Sequence, residues 1–374
     1  MEGWYHPLWN SAATALDTGL AGRVSLNPEA TQSALLRLLT YGGIFWLALQ
    51  YGREPEKARN AIYALVVAGL LYATYGLAVE FTGARKILWI EKFAYLNDLT
   101  STFVNRNSYA TYAGLTLVCA SGLFLKILSE SLAAPFGRRE RLRWFLETVM
   151  AQGWILLLAW IAAMTALLLT HSRGGFLSTA LALLALCVAL GFTRAVKARY
   201  AVFLGALSLM AGASIFALSG ELTGVRLAAT SAEREGRIHV YELTLEAIES
   251  APMLGTGYGT FEDVFRFHRD EDAGGYYVMA HNTYLENALE LGIPGALALF
   301  GAVAGLFLLT VRGVRRRRRD SIYPCIGLAA TVLVAAHSAV DFSLQIPAVA
   351  ITYSFLMGIC CAQCWSSRRP PDPW

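Results

Sequence analysis

Few residues in this 374-residue chain could do acid–base or anion chemistry, and they sit in short clusters between apolar runs. One cluster is His281-Asn282, after which Leu285, Leu289, Gly292 and Pro294-Gly295 lead into an apolar stretch. A histidine there can act as a general base, because an unperturbed imidazole titrates near about pH 6.5. On chemistry alone the favoured reading is a histidine that anchors a helix end by hydrogen bonding. His171-Ser172-Arg173-Gly174-Gly175 joins two apolar runs with almost no loop. An arginine costs about 2.5–3.5 kcal/mol at the bilayer centre and less at the edge, so it is normally kept with a partner. That partner is a phosphate or an acidic side chain, and a planar guanidinium offers paired donors to a diphosphate. The alternative is an arginine that snorkels to ordinary headgroups.

Other polar groups need the same weighing. Thr230-x-x-Glu233 has capping-box spacing and Pro252 is a stop signal, so a helix is expected from about 231 to 249. Arg234 and Arg237 are neighbours on it, being three apart, and Arg226 precedes it. Ile238, Tyr241, Leu245 and Ile248 would share one face, with Glu242, Glu246 and Glu249 turned away. Such a helix rests on a membrane surface or on a helical bundle. Asn105-Arg106-Asn107 reads as a helix cap with an interfacial anchor, or as part of a polar cavity. His337 and Asp341 are four apart and would share a helix face, either orienting a substrate or, as the favoured reading, satisfying each other. Gly255-x-Gly257-x-Gly259 has no strand before it, so a plain turn or a backbone approach to a ligand outweighs a nucleotide loop.

The elements that carry these residues are membrane helices. The chain is 56% hydrophobic and only 16% charged, against about 25% charged in soluble domains. About nine segments are long and apolar enough to span, near 34–51, 60–80, 108–129, 149–170, 174–192, 200–219, 292–311, 322–340 and 346–364. Helices are required there, because lipid offers the backbone no hydrogen-bond partners. Gly295, Gly301, Gly305, Ala180, Ala182 and Ala185 are expected to allow close helix packing. Arg and Lys concentrate in alternate loops, at Arg53 to Arg59, Arg138 to Arg143, Arg194 to Arg199, Arg312 to Arg319 and Arg368-Arg369, so these loops are expected to be cytoplasmic. Loops 81–107, 171–173, 220–291 and 341–345 then face outward. The expected fold class is an all-α, polytopic transmembrane helical bundle with one long outer loop containing an amphipathic helix. Residues 1–33 would be an outer, interfacial segment, 34–219 helices 1–6, 220–291 the long loop, 292–364 helices 7–9, and 365–374 a cytoplasmic tail.

The first thirty residues lack the basic start and apolar core of a removable signal peptide. The six cysteines all lie in apolar runs, which argues against a disulfide framework. Cys361-x-x-Cys364 reads as small packing residues rather than a metal or redox pair.

Taken in order, Asn105-Arg106-Asn107-x-Tyr-Ala, Ser172-Arg173-Gly174-Gly175, Gly236-Arg237, Gly255-x-Gly257-x-Gly259-x-Phe261 and His281-Asn282 form a familiar series. It resembles the O-antigen ligase and polymerase family of bacterial membrane glycosyltransferases. His281-Asn282 followed after nine residues by Gly292-x-x-Gly295 is similar to the ligase signature around its essential histidine. The likeness runs from about 100 to 310, while residues 25–45 and His337 to Gln345 resemble the exopolysaccharide-associated branch. Family members usually carry several more N-terminal helices, so either the tail is translocated or further helices precede it.

The resemblance implies a metal-independent, inverting glycan transferase in the bacterial inner membrane, working at the periplasmic face without a cofactor. The donor would be an oligosaccharide on undecaprenyl pyrophosphate, and the acceptor lipid A–core or a growing surface polysaccharide. His281 would be the base, and Arg173 and Arg237 would hold the pyrophosphate, with Arg226 and Arg234 as further candidates. Asn282, Asn105, Arg106, Asn107, His337 and Asp341 are supporting candidates. Membrane lipids and polysaccharide export or assembly proteins are the other expected partners; no nucleic acid is. The competing expectation is a multi-span transporter, or a non-catalytic subunit of a polysaccharide export complex.

Overall fold

A computed structural model describes residues 5–133, 137–193, 224–270, 273, 276–317 and 319–365. The fold is all-α and polytopic. In chain order the helices are α1 (Leu8–Leu16), α2 (Pro28–Tyr51), α3 (Pro55–Phe81), α4 (Arg106–Ala133), α5 (Arg138–Thr148), α6 (Trp154–Leu169) and α7 (Arg173–Thr193). They continue with α8 (Gly224–Ser250), α9 (Phe261–His268), α10 (Thr283–Arg316), α11 (Ile322–Ser338) and α12 (Pro347–Ala362). A two-residue ladder, Lys86–Ile87 against Ile90–Glu91, lies between α3 and α4.

The starts of these helices come from local chemistry. Pro28, Pro55 and Pro347 stand at the first helical position, where the missing N–H is not needed. Side-chain oxygens cap others: Asn27 Oδ1 accepts from Ala30 N–H at 3.1 Å, and Asn105 Oδ1 from Asn107 N–H at 2.7 Å. Ser172 Oγ accepts from Gly175 N–H at 3.2 Å, and Asn282 Oδ1 from Tyr284 N–H at 3.0 Å.

Among the described residues, four helices are long and apolar enough to cross a membrane: Pro55–Phe81, Arg106–Ser131, Arg173–Thr193 and Thr283–Arg316. A fifth is added if Arg139–Ala151 and Trp154–Leu169, bent by 65°, count as one span. The bend falls at a π-helical turn, Val149–Gly153. Ile322–Ser338 and Pro347–Ala362 are apolar but shorter. The expected span near 34–51 is helical within α2, and the one near 200–219 lies outside the described residues.

The chain divides into two compact units. The first comprises Met1–Gly42, Ser219–Ala304 and Ser338–Pro347; the second comprises Gly43–Leu218, Gly305–His337 and Ala348–Trp374. Small residues let helices approach closely in the second unit. A Cβ on Gly327 would come 2.7 Å from Cys360 Cβ, and one on Gly358 would come 2.4 Å from the Phe45 carbonyl oxygen. All six cysteines are buried free thiols. The glycines expected to pack, Gly301 and Gly305, meet nothing within 4 Å among the described residues.

The first unit has its own small core. Val240, Leu243, Ala247 and Ile248 of α8 pack with Phe261, Val264 and Phe265 of α9 and with Leu289 of α10. The buried face of α8 is therefore not the expected one. Ile238 and Leu245 are exposed, alongside Glu242, Glu246 and Glu249. The helix also runs back through Thr230 to Gly224, so Thr230 and Glu233 do not start it.

Candidate functional site

His281 stands on this core, held by backbone more than by its own ring. Its φ is 54°, a left-handed conformation uncommon for a residue with a Cβ. Three contacts fix the chain around it. Glu286 Oε2, buried one turn into α10, accepts from Ala280 N–H at 2.8 Å. The Tyr241 hydroxyl donates to the His281 carbonyl at 2.9 Å. Asn282 caps α10 on the other side.

The Gly255-x-Gly257-x-Gly259 turn supports the same platform. Its three glycines have φ of 67°, 104° and 86°, values that side chains rarely adopt. The turn closes on α10, with Thr256 N–H donating to Leu289 O at 3.1 Å and Gly257 N–H to Glu290 O at 2.9 Å. Glu290 Oε1 accepts from Phe261 N–H at 2.9 Å, a buried carboxylate satisfied by the start of α9. On the outside of the turn, Leu26 N–H donates to Thr256 O at 2.9 Å and Asn27 Nδ2 to Asp263 Oδ2 at 2.9 Å. The glycine motif is a structural turn.

The imidazole faces a carboxylate. His281 Nδ1 is buried, makes no hydrogen bond among the described residues, and lies 3.5 Å from Asp341 Oδ2, just beyond ordinary hydrogen-bond length. Asp341 is itself fixed: its Oδ1 accepts from Phe342 N–H at 2.8 Å, and its carbonyl accepts from the Thr283 hydroxyl at 2.9 Å. Phe342 packs edge-on to the imidazole with centroids 4.8 Å apart. With Nδ1 turned to a carboxylate, Nε2 is the nitrogen left to take a proton, the arrangement that makes a histidine a directed base.

Arg237 belongs to the same cluster. It is half-buried on α8, one turn before Tyr241, and its guanidinium reaches the Val340 carbonyl at 3.4 Å. Burial raises the Tyr241 phenol pKa above its usual value, with Arg237 pulling it down and Asp341 adding to the rise, so the hydroxyl stays a neutral donor. Arg226 and Arg234 lie on α8, in the part whose side chains fall outside the described set.

The remaining candidates lie in the second unit. Arg173 opens α7 and is exposed, with no hydrogen bond or ion pair among the described residues. Asn105 caps α4, and Arg106 pairs with Asp98 at 2.9 Å. Asn107 is buried, its carbonyl accepting from Thr111 at 3.1 Å. His337 is buried and 3.1 Å from the Thr111 hydroxyl. Because α11 ends at Ser338, His337 and Asp341 do not share a helix face. Sequence reading missed Tyr241 and Glu286 as supports of His281. Tyr241 is four residues after Arg237, and Glu286 four after Asn282, a helical spacing that could have flagged both.

Together these features define a multi-pass helical membrane protein with a histidine–carboxylate cluster built on a small core of its own. Residues 156–300 match the family model described as O-antigen ligase. Over that stretch the chain is similar to O-antigen ligases, which supports a place in the O-antigen ligase and polymerase family of membrane glycosyltransferases. His281, Arg237 and Arg173 fall within the matched stretch, while Asp341 lies beyond it. No curated protein matches the chain.

Proposed function

We propose that the protein transfers an oligosaccharide from undecaprenyl pyrophosphate to an acceptor hydroxyl, at the periplasmic face of the bacterial inner membrane. The observation that carries this reading is His281, held in a left-handed turn with its Nδ1 turned to Asp341. His281 Nε2 takes the acceptor proton as the hydroxyl oxygen attacks the anomeric carbon. The bond from that carbon to the pyrophosphate oxygen breaks, and its electron pair leaves with undecaprenyl pyrophosphate. Arg237, in the unit that carries His281, offsets the charge that develops on this leaving group, and Arg173, Arg226 and Arg234 are further candidates for holding the pyrophosphate. Attack opposite the leaving group inverts the anomeric centre. The energy is already in the glycosyl–phosphate bond, so neither ATP nor a cytoplasmic site is needed. The basic loops, from Arg53 to Arg59 through Arg312 to Arg319, support the outward orientation of residues 220–291.

The test is reconstitution of purified protein with a defined undecaprenyl-pyrophosphate glycan, with and without lipid A–core. A modified core identifies a ligase and a longer lipid-linked glycan a polymerase. Recovery of unaltered donor under both conditions, from protein that inserts normally, would remove the transferase reading.

Asp341→Asn gives a second, sharper expectation. Its oxygen would stay with the Phe342 N–H, turning the amide nitrogen toward His281 Nδ1. That favours the tautomer with the proton on Nε2, which cannot accept another while neutral. Turnover is expected to fall by at least about 10²-fold with donor KM little changed. Wild-type turnover in this variant would strip Asp341 of its role.

A further inference from the structure

The second unit contains another histidine–carboxylate pair. His171 Nδ1 lies 2.8 Å from Asp98 Oδ1. Its φ is 51°, against 54° for His281, and each histidine stands two residues before a helix that begins at Arg173 or Thr283. Strained backbone of this kind gathers at ligand clamps.

Asp98 separates the surrounding cations into two sorts. Its second oxygen holds Arg106 at 2.9 Å, and that guanidinium lies over the Tyr95 ring, 5.3 Å from its centroid. Lys92 is occupied too, donating from Nζ to the Asp98 carbonyl. Burial opposes charge on Asp98, but the His171 hydrogen bond and the Arg106 charge prevail and hold its pKa below the usual value. His171 and Arg173 are the sort left over. The His171 side chain is 49% exposed, its Nε2 has no partner among the described residues, and Arg173 has none either.

We infer that His171, held by Asp98, is a second ligand beside Arg173 for the diphosphate of a lipid-linked donor. The inference rests on the transferase reading above. With Nδ1–H given to Asp98, a ring carrying protons on both nitrogens presents Nε2–H two residues from the Arg173 guanidinium. No proton changes hands here. The diphosphate oxygens of the bound lipid accept hydrogen bonds from Nε2–H and the guanidinium. The charged groups around the pair are Asp98 itself, Arg106 and Lys92, both of which contact Asp98, and Arg173 two residues further along the chain.

The experiment is calorimetric binding of farnesyl diphosphate to the full chain in nanodiscs, from about pH 5.5 to 8, the interval in which histidines titrate. His171→Asn is the informative variant, since asparagine tolerates the left-handed backbone and keeps an amide donor for Asp98 but cannot carry charge. It should melt at the wild-type temperature and bind roughly 10- to 100-fold more weakly at the acid end. That ratio should close toward one as pH rises, because an imidazole that keeps only its Nδ1 proton has no Nε2–H to donate. The ligand's own ionisation affects both proteins alike and cancels in the ratio. Equal binding at every pH by wild type and His171→Asn, with binding lost in Arg173→Ala, overturns the role of His171 and leaves the transferase reading standing. Absence of diphosphate binding in wild type, together with absence of glycan transfer, overturns both.

Discussion

Turnover of glycan transfer is expected to fall about 10²- to 10⁴-fold when His281 is replaced by alanine, the usual contribution of a positioned general base. The loss should appear in kcat, because nothing about the imidazole is required to hold the lipid-linked donor. Alanine carries a smaller second cost, since histidine is several-fold enriched in the left-handed region that φ 54° requires and alanine is not. His281→Asn separates the two effects. Asparagine accepts left-handed backbone readily, so the platform should survive while the base is gone. Equal loss of kcat in both variants, with normal insertion and unchanged donor binding, is the expected pattern. Full activity in His281→Asn would show that the acceptor needs no base at this position, and the mechanism would fall.

Gly292→Ala should have the largest effect on structure. Gly292 divides α10 with φ 68° and ψ 164°, a region essentially restricted to glycine. Strain alone accounts for about 1–3 kcal/mol. An added Cβ would also lie 2.5 Å from the Met253 carbonyl oxygen and 2.9 Å from Gly255 N, where backbone cannot yield cheaply. The turn carrying Gly255, Gly257 and Gly259 closes on this part of α10, so its hydrogen bonds to Leu289 and Glu290 should be lost. Faster hydrogen exchange and easier proteolysis across residues 251–261, with transfer abolished, are the expected readings. Gly301→Ala is the control. It lies on the same helix with nothing within 4 Å among the described residues, and alanine favours helix there by about 1 kcal/mol. If both variants behaved alike, the left-handed break at Gly292 would have no part in building the site.

Much of this protein is legible without coordinates, because the physics involved is local. Twenty or so apolar residues force a helix in lipid, and alternating arginine-rich loops bias its orientation. Caps such as Asn105 and Asn282 act within three residues of themselves, and a glycine-rich turn betrays its backbone angles by composition. His281 stood out for the same reason: an ionisable group at the mouth of an apolar stretch is expensive enough to need a purpose.

Packing direction and distant partners were decided only by the tertiary structure. The α8 helix has apolar residues on two faces, and nothing local says that Val240, Leu243 and Ala247 go inward while Ile238 and Leu245 stay out. Periodicity cannot choose between two such stripes; the shape of the core can. Glycine frequency likewise marks Gly301 and Gly327 equally, although only Gly327 meets another helix. The partner of His281 was hidden most deeply. Spacing put Asp341 beside His337 on a helix, yet the helix stops at Ser338, and the freed carboxylate turns to a histidine far away in sequence. Asp98 and His171 meet in the same way, with α4, α5 and α6 between them in the chain. Contacts of that kind depend on how rigid elements return through space, and a one-dimensional pattern contains no term for it.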